Sequence, residues 1–180
     1  VVGTLVAERL QPGHEPRSSP IVQIALPDPA GLWTARGFAL DVDGRFTVGA
    51  IGLRAGLPEL GLDTGVEPAG PDAHPNGASA VDHLVMLTPD VAATGAELTG
   101  MGAQLRREIG RLHFFRLGPL ILEVVLVEDG PARFWGLTFT VPELPTGELV
   151  GDAREAVQPG RRIVTARGGT TPVAFITPRP

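Results

Sequence analysis

Val81-Asp82-His83-Leu84-Val85-Met86-Leu87-Thr88-Pro89-Asp90-Val91 reads as a buried strand that stops at Thr-Pro-Asp, and the stretch from Phe134 to Leu144 follows the same plan with Val-Pro-Glu-Leu. Pro89 and Pro142 stand 53 positions apart, and the same offset separates Pro119 from Pro172, each of which precedes an apolar strand-like run. Two landmarks sharing one offset imply a duplicated unit, since a repeated supersecondary element is the simplest source of a fixed period.

Within the first copy, Thr88 is suited to cap a helix with Pro89 at its first position, and Val91, Leu98 and Met101 have helical spacing before Gly100 and Gly102. The spacing predicts a helix near 89–101. Strands follow at Gln104 to Glu108, Arg111 to Leu117 and Leu120 to Val127, separated by Ile109-Gly110 and Gly118-Pro119. The unit is therefore β-α-β-β-β. In the second copy Pro145 and Gly147 interrupt the helix, while strands persist at Arg161 to Arg167 and Pro172 to Thr177.

A fainter echo lies upstream, where Val22 to Leu26 runs into Pro27-Asp28, a short helix spans Ala30 to Arg36, and Phe38 to Val42 and Arg45 to Val48 read as strands about an Asp43-Gly44 turn. This is either a degenerate third unit or an unrelated β-rich extension. Leu57 to Gly77, rich in proline, reads as an extended linker. The division expected is an extension over 1–77 and a duplicated domain over 78–180, with units at about 80–127 and 133–178.

The 180 residues carry a net charge of -5, and the 15 basic residues, all arginine, are scattered, which argues against nucleic acid as a partner. There is no cysteine, so disulfides, thiolate nucleophiles and sulfur-ligated metals drop out, and a reducing, cytoplasmic setting is expected. Val1 to Leu10 carries Glu8 and Arg9 and lacks a signal-peptide pattern, and no membrane span is visible. Dinucleotide, phosphate-loop, zinc-protease and serine-elbow motifs are missing.

Two residues break the apolar pattern. His83 shares a strand face with Val85 and Leu87, and neutral imidazole there suits metal coordination or general base work. Glu123 sits inside Leu120-Ile121-Leu122-Glu123-Val124-Val125-Leu126-Val127, where a carboxylate needs a cation, a hydrogen-bond partner or solvent. Alternation across the Gly118-Pro119 turn puts Phe114, Arg116, Ile121 and Glu123 on one face, fit for an aromatic or anionic ligand, with His113 on the other. Gln158, Arg161 and Arg162 surround a Pro-Gly turn and either line a pocket mouth or stand exposed; His14 and His74 are expected in solvent.

The Val81-Asp82-His83-Leu84-Val85 strand, Arg106-Arg107-Glu108, the run from Phe114 to Val125 and Val157-Gln158-Pro159-Gly160-Arg161-Arg162-Ile163 together resemble glyoxalase-like domains of the vicinal oxygen chelate superfamily, over roughly 78–178. The resemblance implies an α+β fold in which paired βαβββ modules form a curved, U-shaped mixed sheet around a small-molecule site, commonly as a dimer. One sheet face and the degraded second helix leave apolar strand surface poorly covered, which also favours a homodimer. The family's metal ligands lie on the first and fourth strands of each module, which here implies His83 and Glu123, with Gly136 and Ile176 at the matching offset and Arg54 in the upstream unit.

The resemblance thus implies either of two functions. One is a divalent-metal-dependent lyase, isomerase or dioxygenase using Zn, Ni, Fe or Mn, with His83 and Glu123 catalytic and metal-ligating. The other is a metal-free binding protein of the bleomycin-resistance type. In both, Phe114, Arg116, Gln158 and Arg162 are the expected ligand contacts.

Overall fold

The computed structural model describes residues 22–180, so the expectations for His14 and Val1 to Leu10 lie outside the described residues. In the first copy, strand β5 (Ala80–Thr88) leads into helix α2 (Val91–Gly100), then β6 (Gln104–Ile109), β7 (Leu112–Leu117) and β8 (Leu120–Leu126). In the second, β9 (Arg133–Thr140) leads through a helix-free connection to β10 (Arg154–Glu155), β11 (Arg162–Thr165) and β12 (Val173–Ile176). These strands form one sheet in the order β10-β11-β12-β9-β5-β8-β7-β6. Each first strand runs parallel to its own fourth strand, and the two first strands pair antiparallel at the centre. The paired βαβββ architecture and its curved mixed sheet are therefore present.

The offset of 53 has a structural meaning. Leu84 pairs with Leu137, and the pairs His83 with Thr138 and Val85 with Gly136 flank it symmetrically, so a pseudo-twofold axis passes between the two leucines. Each strand carries one bulge, with Asp82 the extra residue on β5 and Trp135 the extra residue on β9, again 53 apart. The fourth strands follow a different offset, because Leu84 pairs with Leu122 whereas Leu137 pairs with Val173. The counterpart of Glu123 is consequently Ala174 and not Ile176.

Details of the first helix also shift. Asp90 is the N-cap, accepting from the Ala93 N–H at 2.9 Å, while Thr88 accepts from the Asp90 N–H and bonds the Thr94 hydroxyl at 2.8 Å. Proline at 89 thus precedes the cap, where its missing N–H costs nothing. Gly95 lets α2 lie close to the sheet, since a Cβ there would stand 3.1 Å from the Phe115 ring.

Upstream, β1 (Val22–Leu26), α1 (Ala30–Ala35), β2 (Arg45–Val48) and β3 (Ile51–Ala55) repeat the β-α and final hairpin of the unit, with β1 parallel to β3. Phe38 to Val42, expected as a strand, joins no ladder. β4 (Gly61–Thr64) takes the place a partner unit's first strand would hold, antiparallel to β1, giving the order β2-β3-β1-β4. With the Leu-Pro-Asp and Thr-Pro-Asp landmarks aligned, Gln23 matches Val85, so the position matching Glu123 is Gly52 and not Arg54.

The extended segment 57–77 contributes β4 and then straps β2, where Thr47 N–H donates to the Pro71 carbonyl. His74, expected in solvent, is half-buried: its Nδ1 accepts from Ala39 N–H, its Nε2 donates to the Thr47 carbonyl at 2.8 Å, and its ring meets Phe38 and Phe46.

One continuous core runs through both sheets. Trp33 and Phe38 from the upstream unit, backed by Phe46, pack on Phe139 and Phe175, with the Phe38 and Phe139 ring centroids 4.7 Å apart. These aromatics cover the face of β9 and β12 that the missing second helix leaves open. The strand surface left by the degraded second helix is thus covered within the chain. Among the described residues no helix is long and apolar enough to cross a membrane.

Candidate functional site

The face of the sheet opposite α2 and the upstream unit encloses a cavity of about 450 Å³ across the pseudo-twofold axis. Its walls are mostly apolar, with Val85, Leu87, Leu112 and Val125 from the first copy and Ile163, Pro172 and Ala174 from the second. His83, Glu123 and Thr138 supply its polar floor, Trp135 lines one side at 47% exposure, and Arg154 stands at an exposed edge.

His83 reaches this cavity by alternation with Val85 and Leu87, while the bulge at Asp82 brings that residue's carboxylate beside it. Its Nδ1 donates to Asp82 Oδ1 at 2.9 Å, and its Nε2 faces the Thr138 hydroxyl at 3.1 Å and Glu123 Oε2 at 3.5 Å. An ionised carboxylate only accepts, so Nδ1 carries the proton that it shares with Asp82. Glu123 enters from β8, placed beside β5 by the parallel ladder and only 21% exposed.

Behind His83 stands a buried ion pair that sequence reasoning missed. Arg161, 1% exposed, donates from Nη2 to Asp82 Oδ2 at 2.7 Å, from Nε to the Thr177 carbonyl at 2.7 Å and from Nη1 to Gln158 Oε1 at 3.1 Å. Burial pushes the Asp82 carboxyl up, but the hydrogen bonds and charges of His83 and Arg161 outweigh it and hold the group at about 2, below its ordinary 3.8. A carboxyl depressed on folding stabilises the protein above its unfolded value and loses that contribution as pH falls through the folded one. The contribution at neutral pH is about 2 kcal/mol. An acid titration of the thermal midpoint should therefore show Asp82→Asn losing less stability than the parent between roughly pH 5 and pH 2.

Other expected contacts scatter. Phe114 and Arg116 do share the face of Glu123 and Ile121, as the β7–β8 register requires. Arg116, however, is exposed and donates to the Gly118 carbonyl at 3.1 Å, making no ion pair with Glu123. Gln158 is occupied by Arg161, and Arg162 is exposed beside a different groove with Glu143 and Asp152. Both therefore lie outside the cavity lining. His113 is on the far face, paired with Glu108 at 3.0 Å.

The divalent metal implied by the resemblance does not fit the donors present. His83 and Glu123 are two ligands, whereas catalytic sites of this kind use about three. Their symmetry mates are Gly136 and Ala174, which offer no donor, and among the described residues no cluster of three His, Cys, Asp or Glu could hold an ion. Gly136 is moreover fixed as glycine, because a Cβ there would stand 2.6 Å from the Pro172 carbonyl oxygen, itself bonded to Leu137 N–H.

Fold and site together define a duplicated βαβββ cup whose imidazole and carboxylate come from the first copy alone. No family model matches the chain, and no curated protein matches it. Among solved structures it is similar to methylmalonyl-CoA epimerase from Mycobacterium tuberculosis, at 15% identity over 58% of this chain and 91% of that one, with a TM-score of 0.43. It is also similar to a glyoxalase I mutant from Zea mays, at 12% identity over 87% of this chain and 66% of that one, TM-score 0.44. A 4-hydroxymandelate synthase mutant from Streptomyces coelicolor is 15% identical over 82% of this chain and 64% of that one, TM-score 0.38. The fold of this chain rests on its own strand order and register.

Proposed function

We propose that this protein is a metal-free small-molecule binding protein, the second of the two functions the resemblance implies, and that its ligand sits in the cavity over Leu84 and Leu137. The observation that carries the reading is the one-sided floor: His83 and Glu123 converge within 3.5 Å on an apolar cup whose symmetry-related positions are Gly136 and Ala174. Concave, mostly apolar cavities with a few converging polar groups are the usual form of a ligand site. The incomplete donor set speaks for binding without a metal.

N-phenyl-1-naphthylamine, a neutral aromatic fluorophore with one N–H donor, serves as a probe. Its fluorescence should rise to saturation at one molecule per chain, equally in protein pretreated with EDTA. Ala174→Trp, which fills the cup from β12, should abolish the signal while the thermal midpoint stays near that of the parent. Saturation that survives Ala174→Trp, or that vanishes after chelation, overturns the proposal.

A further inference from the structure

The arrangement of donors and acceptors around the cup carries a second conclusion, which rests on the cup being the binding site. We infer that it selects ligands bearing hydrogen-bond donors, cationic amines above all, and discriminates against carboxylates and phosphates. Glu123 lies in the cup at 21% exposure, and among the described residues it has no contact with a donor closer than His83 Nε2 at 3.5 Å. An ionised carboxylate so placed accepts and cannot donate. His83, the nearest cationic candidate, is already tied through Nδ1 to Asp82, and its Nε2 stands 3.1 Å from the Thr138 hydroxyl. The floor thus presents the Glu123 carboxylate beside an imidazole that a second carboxylate already engages.

The cations that would reverse this preference are elsewhere. Arg161 is spent on Asp82, Thr177 and Gln158; Arg116 is exposed and turned to Gly118; Arg162 faces the other groove. Arg154 alone lines the cup, at its exposed edge, where solvent screens it from the floor. On the remaining side Trp135 offers an aromatic surface, and carboxylate plus indole is a combination that favours an ammonium group. A carboxylate ligand would instead bring like charges together in a half-desolvated cavity.

Competition against N-phenyl-1-naphthylamine by three compounds of one shape tests this: 1-naphthylmethylamine, 1-naphthalenemethanol and 1-naphthoate, at neutral pH. The amine should displace the probe at a concentration on the order of tenfold below the alcohol, as a charge-assisted hydrogen bond allows, and the naphthoate should be the weakest. In Glu123→Gln, confirmed as folded by its thermal midpoint, amine and alcohol should compete equally. Naphthoate competing as well as the amine, a ranking unchanged in Glu123→Gln, or no displacement by any of the three overturns the donor preference while leaving the cup as a binding site. Absence of probe binding to the parent protein overturns both.

Discussion

Replacing Arg161 by methionine is expected to destabilise the protein by about 3 kcal/mol, because it leaves Asp82 charged, buried and short of its main partner. The side chains of Arg161 and Asp82 are 2% and 15% exposed, so solvent can do little to compensate. Urea denaturation should show a lower midpoint with an unchanged slope. Adding Asp82→Asn to that variant should recover part of the loss, since an amide in place of the carboxylate removes the orphaned charge and keeps its shape. Additive effects of the two substitutions would mean the pair is not coupled. The same double variant frees His83 from its orienting anion, so probe affinity in the cup should fall even where stability is regained.

A second expected loss is larger and lies far from the cup. Asp28, following β1, accepts from the Thr170 N–H and hydroxyl and from the Thr171 N–H, and it faces Arg36 Nη1 at 3.5 Å with both side chains 1% exposed. Arg36 in turn donates to the Gly168 carbonyl and lies 5.0 Å from the Trp33 ring centre. This clamp ties the upstream unit to the β11–β12 turn. Gly169 must be glycine for it, having φ +81 and a would-be Cβ 2.6 Å from the Asp28 carboxylate. Asp28→Ala should cost about 4 kcal/mol, from a buried guanidinium left without its anion and three donors left without an acceptor. Differential scanning calorimetry should show the midpoint falling by several degrees, whereas Thr170→Val, which removes one of the three donors, should fall by less.

The duplicated frame was legible because each copy kept its strand and the proline after it, and a fixed offset survives sequence drift. Glu123 was legible for a different reason: a charge within an unbroken apolar strand is an anomaly in one dimension as well as three. Its nearness to His83 followed once first and fourth strands were taken to pair. Arg161 left no such mark. An arginine after Pro159-Gly160 looks like any turn residue, and its burial is created by Asp82 arriving from a strand 79 positions away. Asp82 was hidden by the bulge, since strict alternation would have sent it to the face opposite His83. The upstream unit's role could not be read either, because Trp33 and Phe38 cover β9 and β12 through contacts separated by over a hundred positions.

The paired bulges at Asp82 and Trp135 have a consequence for recognition. The two walls of the cup share one backbone plan, related by rotation about Leu84 and Leu137, yet one bulge anchors an acid and an imidazole while the other presents an indole. Rotating a bound compound end for end about that axis would exchange an acceptor wall for an aromatic one. A symmetric scaffold therefore reads a molecule's direction: a ligand with a donor at one end and an apolar group at the other would bind in one orientation.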